Sequence, residues 1–197
     1  ANKERFDRLN EPDVSYHGVV YTATGLPPYI LRARVVPLRN MGASQTPMNS
    51  FLIMQGIETL ALRMDRICDN TLAVAKHLED HPQVEWVRYA GLDSSPHKAL
   101  LDKYMGGRGS GVMSFGVKGG KEAAPKFIDA LNLITRLVNI GDAKSLACHP
   151  ASTTHRQLSP EELATSGVSE DLIRLSIGIE HIDDIIEDID QALEATK

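Results

Sequence analysis

Cysteine is scarce in this sequence: only Cys68 and Cys148 occur among 197 residues. Two cysteines so far apart match no zinc-ligand spacing and no disulfide framework, so they read as free thiols in a reducing compartment. Long apolar runs are also missing. No stretch approaches the roughly 18 residues of a membrane-crossing helix, and no signal-peptide pattern is recognisable. Clustered lysine and arginine are absent, and the formal net charge is -5. That argues against nucleic acid as a partner, because phosphate binding needs a basic face. Internal repeats and low-complexity tracts are absent as well.

What remains is ordinary for a soluble globular protein, with 42% hydrophobic and 24% charged residues. The length allows one large domain, or one complete domain with part of another. The opening "ANKERFDRLN" resembles the interior of something longer, so a fragment is expected.

Residues 1–40 show no clear period. Pro27 and Pro28 argue against a regular helix there, and the stretch reads as a loop over a surface, beside a pocket or a neighbouring subunit. Apolar residues then recur at spacings of three and four, from Leu52 and Ile53 to Val74, Ala75 and Leu78. This predicts a helix over about 47–80, bent near Gly56 or Asp69 and stopped by Pro82. Such a helix suits a bridge between two domains, with the boundary near residue 70. Downstream the pattern reads strand, helix, strand, helix, strand, strand, helix, strand, helix. It predicts a strand at 84–91 and a helix capped by Ser95 with Pro96 in its first position. A strand at 111–117 and a capping box from Ser159 to Glu162 follow. The last strand is "DLIRLSIGIE", and the last helix buries Ile182, Ile185, Ile186, Ile189 and Leu193 while Asp and Glu face water. This order suits an α+β layer, a mixed or antiparallel sheet with helices on one face.

Arg174 is the residue that needs explaining, a permanent cation inside an apolar strand. Burial demands an anionic partner. That partner is either a carboxylate of the chain or a ligand's carboxylate or phosphate, which a guanidinium clamps well. The polar segment "NIGDAKSLACHPASTTHRQLS" (139–159) is a plausible binding loop between two strands. His149 and His155 lack the further ligands of a zinc site. Ser145, His155 and Asp142 could be drawn as a triad, but no nucleophile elbow surrounds the serine. "GGRGSG" (106–111) precedes a strand, not a helix, and reads as a turn.

Two long motifs carry a family resemblance. "SLACHPASTTHRQLSPEELATSGVSEDLIRLSIGIEHIDDIIEDIDQAL" is similar to the C-terminal end of the Cys/Met-metabolism family of pyridoxal-phosphate (PLP) enzymes. "GASQTPMNSFLIMQGIETLALRMDRICDNTLAVAKHLEDHP" resembles the family upstream of it. The family includes cystathionine synthases and lyases and O-acetylhomoserine sulfhydrylases. The resemblance implies an α/β fold-type I PLP-dependent transferase. Residues 1–70 would be the tail of its large cofactor domain, and 71–197 an α+β substrate-recognition domain.

It further implies that Arg174 binds the α-carboxylate of the amino-acid substrate. Asn139 would be a polar contact, and Ile140 would offer its backbone N–H. Many lyases of the family carry Glu-Ser where this chain has Val138-Asn139, and segment 11–37 resembles an insertion of the sulfhydrylases. The implied reaction is therefore γ-replacement on O-acetylhomoserine by sulfide or methanethiol, giving homocysteine or methionine. The alternatives are a cystathionine γ-synthase or γ-lyase, or a non-catalytic amino-acid-binding fragment. None of the nine lysines, Lys3, Lys76, Lys98, Lys103, Lys118, Lys121, Lys126, Lys144 and Lys197, stands in the family's Ser-x-x-Lys context. The Schiff-base lysine is therefore expected on the N-terminal half of the same enzyme. A cytoplasmic homotetramer is expected from the resemblance, and the chain alone would be inactive.

Overall fold

The computed structural model describes residues 5–197, so Lys3 and the rest of 1–4 lie outside the described residues. The chain divides into two compact units, 1–57 and 58–197. Residue 70, the expected boundary, lies inside a helix of the second unit.

The first unit is helical. It contains α1 (Asp7–Asn10), a 3-10 turn at Tyr21–Ala23, α2 (Pro28–Ala33), a π-type turn at Arg34–Leu38, α3 (Arg39–Met41) and all but the last residue of α4 (Pro47–Glu58). The expectation of a loop fails here. Pro28 occupies the first helical turn, where a missing N–H costs nothing, so it starts α2 instead of forbidding it. Pro37 is absorbed by the wider turn. Asp13 ties the unit together. Its carboxylate accepts from the Ser15 N–H (2.9 Å) and hydroxyl (2.5 Å), the Tyr21 hydroxyl (2.9 Å) and Arg32 Nε (3.2 Å). Pro27, Tyr29, Ile30 and Pro37 line a cavity of about 780 Å³ within this unit. On α4, Met48, Phe51, Leu52, Ile53, Met54 and Ile57 are all exposed.

The second unit is the α+β layer that the sequence order predicts. Its elements are α5 (Leu60–Glu79), β1 (Val84–Arg88), α6 (Lys98–Met105), β2 (Val112–Val117), α7 (Gly120–Ala130), β3 (Thr135–Arg136), β4 (Leu146–Cys148), α8 (Pro160–Thr165), β5 (Leu172–Ser176) and α9 (Ile182–Glu194). Thr59 separates the two helical runs, close to the expected bend at Gly56. The sheet runs β1-β2-β5-β4-β3. All neighbours are antiparallel except β3 and β4, so the sheet is mixed.

Helices α5, α7 and α9 supply one buried layer. Val74, Leu78, Phe127, Ile185, Ile189 and Leu193 pack against Phe115, Ile173 and Leu175 of the sheet. Phe115 and Phe127 meet edge to face at 5.4 Å, a favoured aromatic geometry. Ser159 and Glu162 form the expected capping box of α8. Two local expectations fail. Helix α6 starts at Lys98, with His97 in the cap position and no side-chain cap. On α9, Asp188 does not face water. It is buried and accepts from the backbone N–H groups of Asn132 (2.8 Å), Leu133 (3.0 Å) and Ile134 (2.9 Å). A buried carboxylate is tolerated because its oxygens find donors.

Candidate functional site

Arg174 occupies the middle of β5. Its register partners are Ser114 on β2 and Cys148 on β4. The neighbouring Ile173 and Leu175 face the helices and are fully buried, which turns Arg174 to the opposite face of the sheet. There it is half-buried, and among the described residues it forms no ion pair. One hydrogen bond runs from Nη2 to the Asn139 carbonyl at 3.4 Å, near the long limit for such a bond, and the side chain also contacts the Cys148 thiol. The ion pair to a carboxylate of the chain, one of the two sequence readings, is therefore not formed.

The three expected site residues come together. Asn139 carries the carbonyl that meets Arg174, and its side-chain Oδ1 accepts from the Ile140 N–H at 2.9 Å. The N–H expected to receive a carboxylate is thus occupied by its own neighbour. Asn139 and Ile140 are both exposed.

The Arg174 strand is anchored at its end by a motif whose role the sequence did not reveal. Glu180 accepts from the Ser145 N–H (2.6 Å) and from the Ser145 hydroxyl (2.9 Å). The same hydroxyl oxygen accepts from the Gly178 N–H at 2.9 Å. Asn70 on α5 donates to the carbonyls of Gly178 (3.1 Å) and Glu180 (2.9 Å). A Cβ on Gly178 would lie 2.3 Å from the Ala143 carbonyl oxygen, so only glycine fits. Together these bonds pin the residue before β4 to the turn that follows β5. Ser145 is therefore a buried structural hydroxyl, and the drawn triad with His155 and Asp142 does not assemble. The signal was present as the Gly-x-Glu that follows the strand, but its partner lies 35 residues upstream.

His149 is buried, with Nδ1 against the Ser152 hydroxyl and Nε2 against the Glu170 carbonyl, each at 2.8 Å. No group of three His, Cys, Asp or Glu side chains able to hold a metal occurs among the described residues. Cys68 and Cys148 are free and buried. Burial pushes the Cys148 thiol above its usual range, against the opposing pull of Arg174 beside it.

The chain belongs to the Cys/Met metabolism PLP-dependent enzyme family, whose model matches residues 13–194. Among its relatives, a homocysteine synthase of Schizosaccharomyces pombe is 49% identical over 194 residues, 98% of this chain and 45% of that protein. O-acetyl-L-homoserine sulfhydrylase 1 of Thermus thermophilus is 47% identical over 96% of this chain and 45% of its own length. A crystal structure described as an O-acetylhomoserine (thiol)-lyase from Campylobacter jejuni, with N'-pyridoxyl-lysine-5'-monophosphate, matches with a TM-score of 0.86. That match has 43% identity and covers 98% of this chain and 46% of that one. The fold is thus that of the PLP-dependent enzymes, and the chain spans just under half the length of these relatives.

The described residues do not fit a cofactor anchor. None of their eight lysines is buried. Lys98, Lys121 and Lys197 are paired with Asp102, Glu170 and Glu194. No chemical step through PLP is therefore assigned to residues of this chain.

Proposed function

We propose that this chain is the substrate-recognition part of an O-acetylhomoserine sulfhydrylase. Residues 1–70 would belong to the tail of its large domain, and 71–197 would form the recognition domain. The observation that carries this reading is Arg174, a half-buried cation on the sheet face opposite the helices with no carboxylate partner among the described residues, beside Asn139 and Ile140. A guanidinium in that state suits a substrate α-carboxylate, which it clamps with two parallel hydrogen bonds. Ile140 would add its N–H once Asn139 lets go of it, and the Asn139 side chain would turn to the amino acid.

The enzyme would exchange acetate at Cγ of O-acetylhomoserine for sulfide or methanethiol, giving homocysteine or methionine. The names of the relatives support this choice, as does Val138-Asn139 in place of the Glu-Ser of many lyases. PLP and its lysine would come from the rest of the same enzyme. The exposed apolar side chains of α4 support a covered position in a larger assembly, for which a cytoplasmic homotetramer is our reading. Product analysis tests the activity. The enzyme carrying this chain should form homocysteine and acetate from O-acetylhomoserine and sulfide, and should leave cystathionine alone intact. Turnover of cystathionine without homocysteine formation would overturn it.

A further inference from the structure

The sheet face that presents Arg174 carries a second arginine. Arg88 on β1 pairs with Ser114 on β2, and Ser114 pairs with Arg174 on β5. The three residues form one row across three strands. Two strand spacings put the arginine Cα atoms roughly 10 Å apart. Both side chains line one pocket of about 310 Å³, together with Ser114, Thr154 and His155. No carboxylate lines it.

Arg88 is exposed yet held in place. Its guanidinium carbon sits 4.4 Å from the centre of the Trp86 ring, within range for a cation–π contact. The indole is itself fixed, because Trp86 Nε1 donates to Asp171 at 2.7 Å. The indole lies across Gly116, where any Cβ would come within 2.2 Å of Nε1. Arg88 also donates to the Gly167 carbonyl, at a long 3.4 Å. Nearby acids are engaged elsewhere: Asp171 holds Trp86, and Glu170 pairs with Lys121. Neither arginine is neutralised by a carboxylate among the described residues.

We propose that Arg88 and Arg174 form a two-point cradle for a small dicarboxylate, with one carboxylate on each guanidinium. Arg88 then reads a second negative charge on a ligand other than O-acetylhomoserine, which carries a single carboxylate. This rests on the reading of Arg174 as a carboxylate clamp. Ser114, between the two cations in the row, supplies a hydroxyl for the same oxygens.

The test is calorimetric titration of the PLP-loaded enzyme with succinate, glutarate and adipate, against butyrate at equal ionic strength. At least one diacid should bind about tenfold or more tighter than butyrate, the scale of one added charged hydrogen bond. Arg88→Gln should erase that preference and leave butyrate affinity unchanged. Arg88→Lys, which keeps the charge, should retain part of it. Equal binding of diacid and butyrate by the wild type, or a preference that survives Arg88→Gln, overturns this inference alone. Butyrate binding that is unchanged in Arg174→Ala overturns both this inference and the α-carboxylate reading.

Discussion

Asn139 serves two neighbours at once. Its carbonyl accepts from Arg174 and its side chain occupies the Ile140 N–H. Only the side chain is lost in Asn139→Ala, so the Arg174 contact survives. If the side chain turns to the substrate, KM for O-acetylhomoserine should rise several-fold in the full-length enzyme. That matches a neutral hydrogen bond of about 1 kcal/mol. An unchanged or lowered KM would leave Asn139 as no more than a cap for Ile140. Asp13 makes a second prediction at this scale. The Ser15 hydroxyl, then the Tyr21 hydroxyl, hold its carboxyl at about 2, below the ordinary 3.8. A carboxyl depressed in the folded state contributes stability that is complete above the unfolded value and lost as pH falls through the folded one. Order in the Asp13–Arg32 segment should therefore weaken between pH 4 and 2. An NMR titration that places the Asp13 midpoint near 3.8 would contradict this.

At the scale of elements, periodicity was the readable signal. The long helical run, the order of strands and helices after residue 80 and the capping box of α8 all follow from local patterns. Local patterns failed where distant partners decide. Asp188 looked like one more acid on a solvated helix face. Its burial follows from three backbone N–H groups at 132–134, which are more than 50 residues away in sequence. Ser145 resembled a nucleophile for the same reason, because Glu180 and Gly178 are invisible from its own neighbourhood. At the site, Arg174 was legible as a charge out of place in an apolar strand. Asn139 and Ile140 came only through the family resemblance, and Arg88 was not legible at all, since its meaning depends on cross-strand register. Asp188→Ala should strand buried donors and destabilise the second unit by about 2–4 kcal/mol. Urea unfolding reads this directly, and a change under about 0.5 kcal/mol would show the turn to be held by packing alone.

At the scale of the whole molecule, the proposed reading puts recognition and chemistry on different stretches of polypeptide. The chain spans 45% of the homocysteine synthase and sulfhydrylase relatives and holds no buried lysine among its described residues. What it does hold is a rigid sheet face. The Ser145–Glu180–Gly178 bonds and the Asn70 brace fix the strand that carries Arg174. If Arg174 holds the substrate carboxylate as proposed, a cation fixed in this way would reduce the ordering cost of binding and align the amino acid for chemistry.

The most direct test is steady-state kinetics of Arg174→Ala in the full-length PLP enzyme, with O-acetylhomoserine varied at saturating sulfide. Loss of a carboxylate clamp should cost about 2–5 kcal/mol in kcat/KM, mostly as a raised KM. A KM equal to that of the wild type would mean that Arg174 does not hold the substrate.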